Sequence, residues 1–182
     1  MVSIDSLDYF NKRYEQHGAA TPWYGNKYRK DTHEARMEFL RQADYWGSVL
    51  DFGCGTGAYC SLFSKDWYKG YDQIEAAVEI AREENPGYDF GTSQSQYGYM
   101  TFFANCVLQH NKDEVVQEIL EKYAKNAPRV ILYECSDLKI DSAHCKGREP
   151  EWYADLVGRE VEKVWTHEID GGLHSLSQWL PL

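Results

Sequence analysis

The five cysteines, at positions 54, 60, 106, 135 and 145, form no Cys-x-x-Cys pair. An odd count at scattered positions does not build a disulfide frame, so free thiols in a reducing compartment, the cytoplasm, are expected. Cys106 and Cys135 lie in apolar runs and read as small core residues. The six histidines show no metal-ligand spacing, so no metal is expected. No apolar run approaches the length of a membrane helix. The N-terminal stretch "MVSIDSLDYFNKRYEQ" is charged and amphipathic, unlike a secretory signal. A basic stripe is also missing: the net charge is -10, and the densest cluster, Lys27, Arg29 and Lys30, reads as a solvated face. Phosphate contacts need concentrated Lys and Arg, so neither nucleic acid nor an anionic membrane is an expected partner. There is no internal repeat and no low-complexity tract.

What remains is an ordinary globular balance. The chain has 182 residues, of which 43% are hydrophobic and 26% charged, enough for one domain with a full core. Aromatics are plentiful at 15%, and they suit either a core or a pocket for a flat or cationic ligand. Leu7, Phe10 and Tyr14 are spaced for one face of a helix over 4–17. Residues 18–30 read as a loop punctuated by Gly18, Pro22 and Gly25. Thr32 is placed to cap a helix over 33–45. Strands and helices then alternate: a strand at "SVLDF", a short helix over 57–65, a strand at "WYKGYD", and a helix at "IEAAVEIAREEN". Further strands follow at "YDFG", "YMTFFANCVLQ" and "RVILYEC", with helices at "KDEVVQEILEKYAKNA" and "EPEWYADLVGR". The last two strands, "VEKVWTHEI" and "LHSLSQWL", are joined by Asp170-Gly171-Gly172, a hairpin signal. The pattern predicts an α/β fold: a Rossmann-like, doubly wound, mostly parallel sheet of seven strands, with a C-terminal antiparallel hairpin and helices on both faces. One domain over 1–182 is expected, with 1–45 as N-terminal helices that serve as a lid and 46–182 as the core.

The most informative stretch is "VLDFGCGTGAYC", Val49 to Cys60. Gly53, Gly55 and Gly57 alternate behind an apolar-rich strand, with Asp51 two residues ahead. Glycines there let backbone approach a ligand closely, and a loop leaving the carboxyl end of a strand lies where such sheets bind ligands. The bland alternative is a tight strand-to-helix turn. Gly53-x-Gly55-x-x-Ala58, with Asp72 further on, also loosely fits a dinucleotide fingerprint.

The whole of "VLDFGCGTG" resembles the first motif of class I S-adenosylmethionine-dependent methyltransferases, an acid followed by three alternate glycines after a strand. "YKGYDQIEAAVEIAREENP" resembles their second strand and helix, and "ANCVLQHNKDEVVQEIL" resembles their fourth strand with the following loop and helix. The match covers roughly residues 45–135, and elsewhere only the topology agrees. The resemblance implies S-adenosylmethionine as cofactor, with Asp51, Gly53, Cys54, Gly55 and Gly57 around its methionine half. It implies Asp72 on the ribose hydroxyls, Gln73 and Ile74 at the adenine, and Asn105, Cys106 and Gln109 at the methionine and methyl-donor side. The acid often found after the third strand is missing; Thr92, Ser93 and Gln94 stand in its place, and the helix there is expected to shrink to a loop. His110 is the candidate general base, against a purely structural histidine. Tyr14 and Trp23 are candidates to face the sulfonium from the lid, against simple packing over the core. The expected activity is methyl transfer to oxygen or nitrogen of a small-molecule acceptor. A non-catalytic binder of the cofactor and a nicotinamide-dependent oxidoreductase remain as alternatives.

Overall fold

In the computed structural model, residues 4–17, 27–93, 98–142, 145–169 and 172–181 are described. Seven strands form one sheet in the order β3-β2-β1-β4-β5-β7-β6. They are β1 (Val49–Phe52), β2 (Tyr68–Tyr71), β3 (Asp89–Gly91), β4 (Thr101–Asn105), β5 (Arg129–Cys135), β6 (Val161–Ile169) and β7 (Gly172–Trp179). The first five run parallel, and β7 inserts antiparallel between β5 and β6. The expected mostly parallel sheet with a terminal antiparallel hairpin is therefore present.

The uninterrupted apolar strands follow from burial on both faces. Leu50, Phe52, Phe102, Ala104, Val130 and Leu132 point to one side, where Val116 and Ile119 of α4 (Asp113–Ile119) and Tyr153 and Ala154 of α5 (Pro150–Asp155) cover them. The alternate residues Val49, Phe103, Ile131 and Tyr133 point to the other side. They meet Leu40 of α2 (Lys27–Leu40) and Val78 and Ala81 of α3 (Glu75–Glu84). The amphipathic α1 (Ile4–His17) lays Leu7, Phe10 and Tyr14 against Ile74 and Ala77 at the start of α3.

Two helices depart from expectation. The helix expected over 57–65 is reduced to 3-10 turns at Cys60–Leu62 and Lys65–Trp67. Gly57 has φ +74° and Phe63 is extended, so only residues 58–62 remain between them, too few to offset helix nucleation. The second helix starts at Lys27 instead of after Thr32 and stops at Leu40 instead of 45. No Gly or Pro interrupts 27–40, so the helix runs through the expected cap. The helix after β4 also changes character, continuing as a π-turn over Leu120–Ala124 with Lys125 N–H bonded to Leu120 C=O at 2.8 Å.

At one edge of the sheet lie the carboxyl ends of β1, β2, β4 and β5. Because β7 is antiparallel, its first residues lie at that same edge, with His174 paired to Cys135. Phe103 sits at the centre of the sheet, fully buried, with Phe63 and Tyr45 edge-on at 5.4 and 5.7 Å. Phe103→Ala should cost about 3–5 kcal/mol of unfolding free energy, read from urea denaturation. A loss under about 1 kcal/mol would show that the centre of the sheet collapses around the gap.

Candidate functional site

The glycine loop leaves β1 by folding back on β2. Gly53 and Cys54 both donate their N–H to Tyr71 C=O, at 2.7 and 3.0 Å. Gly53 has φ +75°, and a Cβ there would lie 2.4 Å from Val107 Cγ2, so only glycine lets the loop after β4 pack this closely. Gly55, at φ +53°, has the Tyr14 hydroxyl above it, 3.1 Å from where its Cβ would be. Gly57 serves another purpose. A Cβ on it would strike the Phe90 ring at 2.6 Å, so this glycine permits packing of β3 beneath the loop.

Two acids flank the loop, Asp51 buried and Asp72 half-buried. Asp72, just after β2, accepts Gly55 N–H on Oδ2 at 2.9 Å and Ile74 N–H on Oδ1 at 3.0 Å. Burial raises its pKa, opposed by these amides and by that of Gln73. A carboxylate offers about four lone-pair sites, so with three amides on it Asp72 keeps capacity for a further donor. Asp51, on β1 and 3% exposed, accepts the Tyr68 hydroxyl at 2.7 Å. Burial pushes its carboxyl up to about 7; the Tyr68 bond opposes the rise and the charge of Asp72 adds to it.

The loop after β4 is shaped from β5. Cys106 takes φ +56°, unusual for a side-chain residue, and its N–H is bonded to Tyr133 C=O at 2.7 Å. Glu134, 1% exposed, accepts the N–H groups of Val107 and Leu108 at 3.0 Å each and of Gln109 at 3.1 Å. Arg148, buried from beyond β5, donates to Leu108 C=O and Asn111 C=O and pairs with Asp113 at 2.7 Å. It is thus a structural brace between the loop after β4 and the start of α4. Gln109 is buried too. Its Oε1 accepts Cys135 N–H at 2.7 Å, which turns its amide nitrogen toward His110 Nε2 at 3.3 Å. That amide can only donate, so Nε2 of His110 is the acceptor and Nδ1 carries the proton. The His110 ring meets Phe10 of α1 edge-on at 5.2 Å.

These elements enclose a cavity of about 750 Å³. Of the residues singled out from sequence, Tyr14, Asp51, Gly53, Cys54, Gly55, Asp72, Gln73, Ile74, Asn105, Cys106, Gln109 and His110 all line it. Gly57 and Ser93 do not. Gly57 is turned toward Phe90, and Ser93 is exposed on the loop after β3. Trp23 lies outside the described residues. Sequence reasoning missed His33 and Arg36 on α2, Tyr59 just before the first 3-10 turn, and Gly172 and His174 on β7, all of which line the cavity. It also missed Glu134, which lies behind the wall. Glu134 did carry a signal, as an acid inside the buried run "RVILYEC", where a charge needs hydrogen-bond partners.

No protein-family profile matches the chain, and no curated protein matches it in sequence. Solved structures do match. Magnesium protoporphyrin IX methyltransferase of Synechocystis PCC 6803, with bound S-adenosylhomocysteine (SAH), superposes with a TM-score of 0.74 at 17% identity, over 97% of both chains. DhpI in complex with SAH gives a TM-score of 0.72 at 17% identity, over 97% of this chain and 95% of that one. N-methyltransferase NodS of Bradyrhizobium japonicum WM9, also with SAH, gives 0.69 at 11% identity, over 97% and 99%. The chain therefore has the class I S-adenosylmethionine-dependent methyltransferase fold. Among the described residues no helix is long and apolar enough to cross a membrane.

The residues present fit such a ligand. Asn105 Oδ1 is buried without a hydrogen-bond partner, beside the glycine loop on the cavity wall. Gly55 lines the cavity with the Tyr14 hydroxyl over it. An acid near pKa 7 facing a site for a cationic ligand makes binding pH-dependent. The cation favours ionised Asp51, so binding expels a proton wherever free Asp51 is protonated. Affinity for SAH, which carries an ammonium, should therefore rise up to about tenfold from about pH 5.5 to about 7.5 and flatten above. Calorimetry in buffers of different ionisation enthalpy reads the released proton, and Asp51→Asn should flatten the profile. An unchanged profile in the variant would assign the proton to Asp72.

Proposed function

We propose that this protein is an S-adenosylmethionine-dependent methyltransferase acting on oxygen or nitrogen of a small-molecule acceptor. The observation that carries the reading is the tie between Gly55 N–H and the Asp72 carboxylate. It joins a glycine loop that lines the cavity to an acid with remaining acceptor capacity, the kind of group a ribose hydroxyl needs. The short 3-10 turns after the loop favour this ligand over a dinucleotide. A pyrophosphate is held at the N-terminus of a full helix, and none follows this loop.

In this reading Asp72 accepts the ribose hydroxyls, Ile74 and Gln73 border the adenine, and Asp51 and Asn105 face the ammonium end. Tyr14 lies over Gly55, so α1 acts as part of a cover that excludes water. When bound, the cofactor supplies an electrophilic methyl group, which an acceptor lone pair takes in line while the carbon–sulfur electron pair stays on sulfur. The protein's main contribution is to hold the acceptor in line. His110 is the candidate to take the acceptor's proton, on Nε2, once that atom leaves the Gln109 amide. The net charge of -10 favours a small acceptor over nucleic acid, and five free cysteines fit a cytoplasmic setting.

Calorimetric titration with S-adenosylmethionine, SAH and NAD tests the reading. The first two should bind, and binding of NAD alone would overturn it. Asp72→Ala should weaken SAH about tenfold or more, because charge-assisted hydrogen bonds are worth about 1.5–3 kcal/mol each. Unchanged affinity in a folded variant would remove Asp72 from the ribose. In a methyl-transfer screen over a metabolite panel, His110→Ala should keep SAH affinity within about twofold and lower turnover by about 10²–10⁴-fold. Full turnover would leave His110 as cavity wall.

A further inference from the structure

Between β5 and α5 the chain closes on itself beside the cavity. Ile140 donates its N–H to Asp137 C=O at 2.9 Å, and Gly147 donates to Ile140 C=O at 2.8 Å. Asp141 and Lys146 pair as an antiparallel bridge. A Cβ on Gly147 would strike the Asp137 carbonyl, so only glycine lets the returning backbone come this close to the outgoing one. Lys146 anchors the turn to the loop after β4. Its N–H is bonded to Gln109 C=O at 2.8 Å, and its ammonium pairs with Asp113 at 2.8 Å. Ile140 is thus carried on a braced support next to the Gln109–His110 segment.

This turn, β5 and β7 give the cavity one wall: Cys135, Ile140, Cys145, Gly172 and His174. Ile140 Cδ1 lies 3.3 Å from where a Gly172 Cβ would stand, so the glycine leaves the room that the isoleucine fills. Cys135 and Cys145 are free thiols. Burial raises Cys135 and pushes Cys145 up to about 12, so both stay protonated at neutral pH and behave as small apolar side chains. The His174 ring stacks on Tyr133 at 5.4 Å and 11°. The charged side chains that line the cavity, Asp51, Asp72, Glu118, Lys122 and Arg36, come from β1, the turn after β2, the helix after β4, and α2. None belongs to this wall. Arg36 reaches β5, where its guanidinium is already engaged. It lies 5.2 Å from the centre of the Tyr133 ring, has Cys106 Sγ 3.8 Å from Nη1, and donates to the hydroxyls of Tyr59 and Tyr133.

Neighbouring strands lie about 4.8 Å apart, so in the order β2-β1-β4-β5-β7 this wall stands about 10–14 Å across the sheet from β1. A cofactor held by Asp72 and the glycine loop leaves that space to the second substrate. We propose that the wall is the subsite for the body of the acceptor, that it takes an apolar ring or alkyl group, and that Ile140 sets its depth. The proposal rests on the methyltransferase reading above. It narrows the acceptor to an alcohol, phenol or amine whose apolar part packs on Ile140, Cys135 and Cys145, with the atom to be methylated toward His110. A polyhydroxylated body would turn its hydroxyls toward an isoleucine and two thiols, which give weak hydrogen bonds or none.

The test is a ligand-observed NMR titration of SAH-saturated protein with phenol, cyclohexanol and glycerol. Phenol or cyclohexanol should bind at least about tenfold more tightly than glycerol. Ile140→Trp fills the space and should weaken the tighter of the two about tenfold. Ile140→Ala opens the space and should shift preference from phenol toward 1-naphthol. Both variants should keep SAH affinity within about twofold, which also shows that they fold. The proposal is overturned if neither phenol nor cyclohexanol binds, if glycerol binds as tightly, or if Ile140→Trp changes nothing. It also falls if Ile140→Ala, with wild-type circular dichroism, weakens SAH about tenfold, because the wall would then serve the cofactor. The same titration on free protein keeps the two readings apart. Failure of SAH to bind the wild type removes the methyltransferase reading, while the comparison of Ile140 variants still decides whether the wall takes an apolar body.

Discussion

The half-buried carboxylate of Asp72 is the constraint on which the site depends. A charge partly withdrawn from water is costly unless its oxygens are satisfied, and here the satisfying groups are the amides of Gly55 and Ile74. The acid therefore dictates the path of a loop that belongs to the neighbouring strand. The left-handed conformations at Gly53 and Gly55 are what let the loop turn its amide toward β2. Gly53 then does more than bend: the space left by its missing side chain is filled by Val107, so the loop after β4 is locked to the loop after β1. Three strand ends become one unit.

Glu134 repeats the device on the other side. An acid near the end of a buried strand accepts successive amides of its neighbour's loop and fixes a turn that has no regular helix to stabilise it. Gln109 extends the order outward, from the Cys135 amide to the His110 ring. The histidine's tautomer is thus set by a backbone N–H of β5, two hydrogen bonds away. Strain at Cys106 is tolerated because its own amide is tied to β5 as well.

Much of this was legible in the sequence because its causes are local. Strands buried on both faces read as continuous apolar runs, and the glycine loop and Asp72 sit at fixed distances from them. The reduction of the expected 57–65 helix to 3-10 turns was not legible, since it follows from the left-handed state of Gly57, which removes residues a helix would need. Nor was the division among the glycines: their alternate spacing makes 53, 55 and 57 look alike, and only Phe90, far along the chain, separates the third. Arg36 meets Cys106 across 70 residues, and Glu134 meets Val107 across 27. Such pairings depend on the sheet order β2-β1-β4-β5-β7, which periodicity does not report. The inserted position of β7 is what brings Gly172 and His174 to the cavity.

The two ends of the cavity are carried on different halves of the sheet. Gly55 and Asp72 belong to the turns after β1 and β2, whereas Tyr133 and His174 belong to β5 and β7, with Arg36 reaching in from α2. Each half has its own acid as organiser, Asp72 for one and Glu134 for the other. Substitutions around Tyr133, His174 or Arg36 can accumulate without disturbing the Asp72 tie, and the reverse holds as well. The chain shares its fold with solved structures at 11–17% identity.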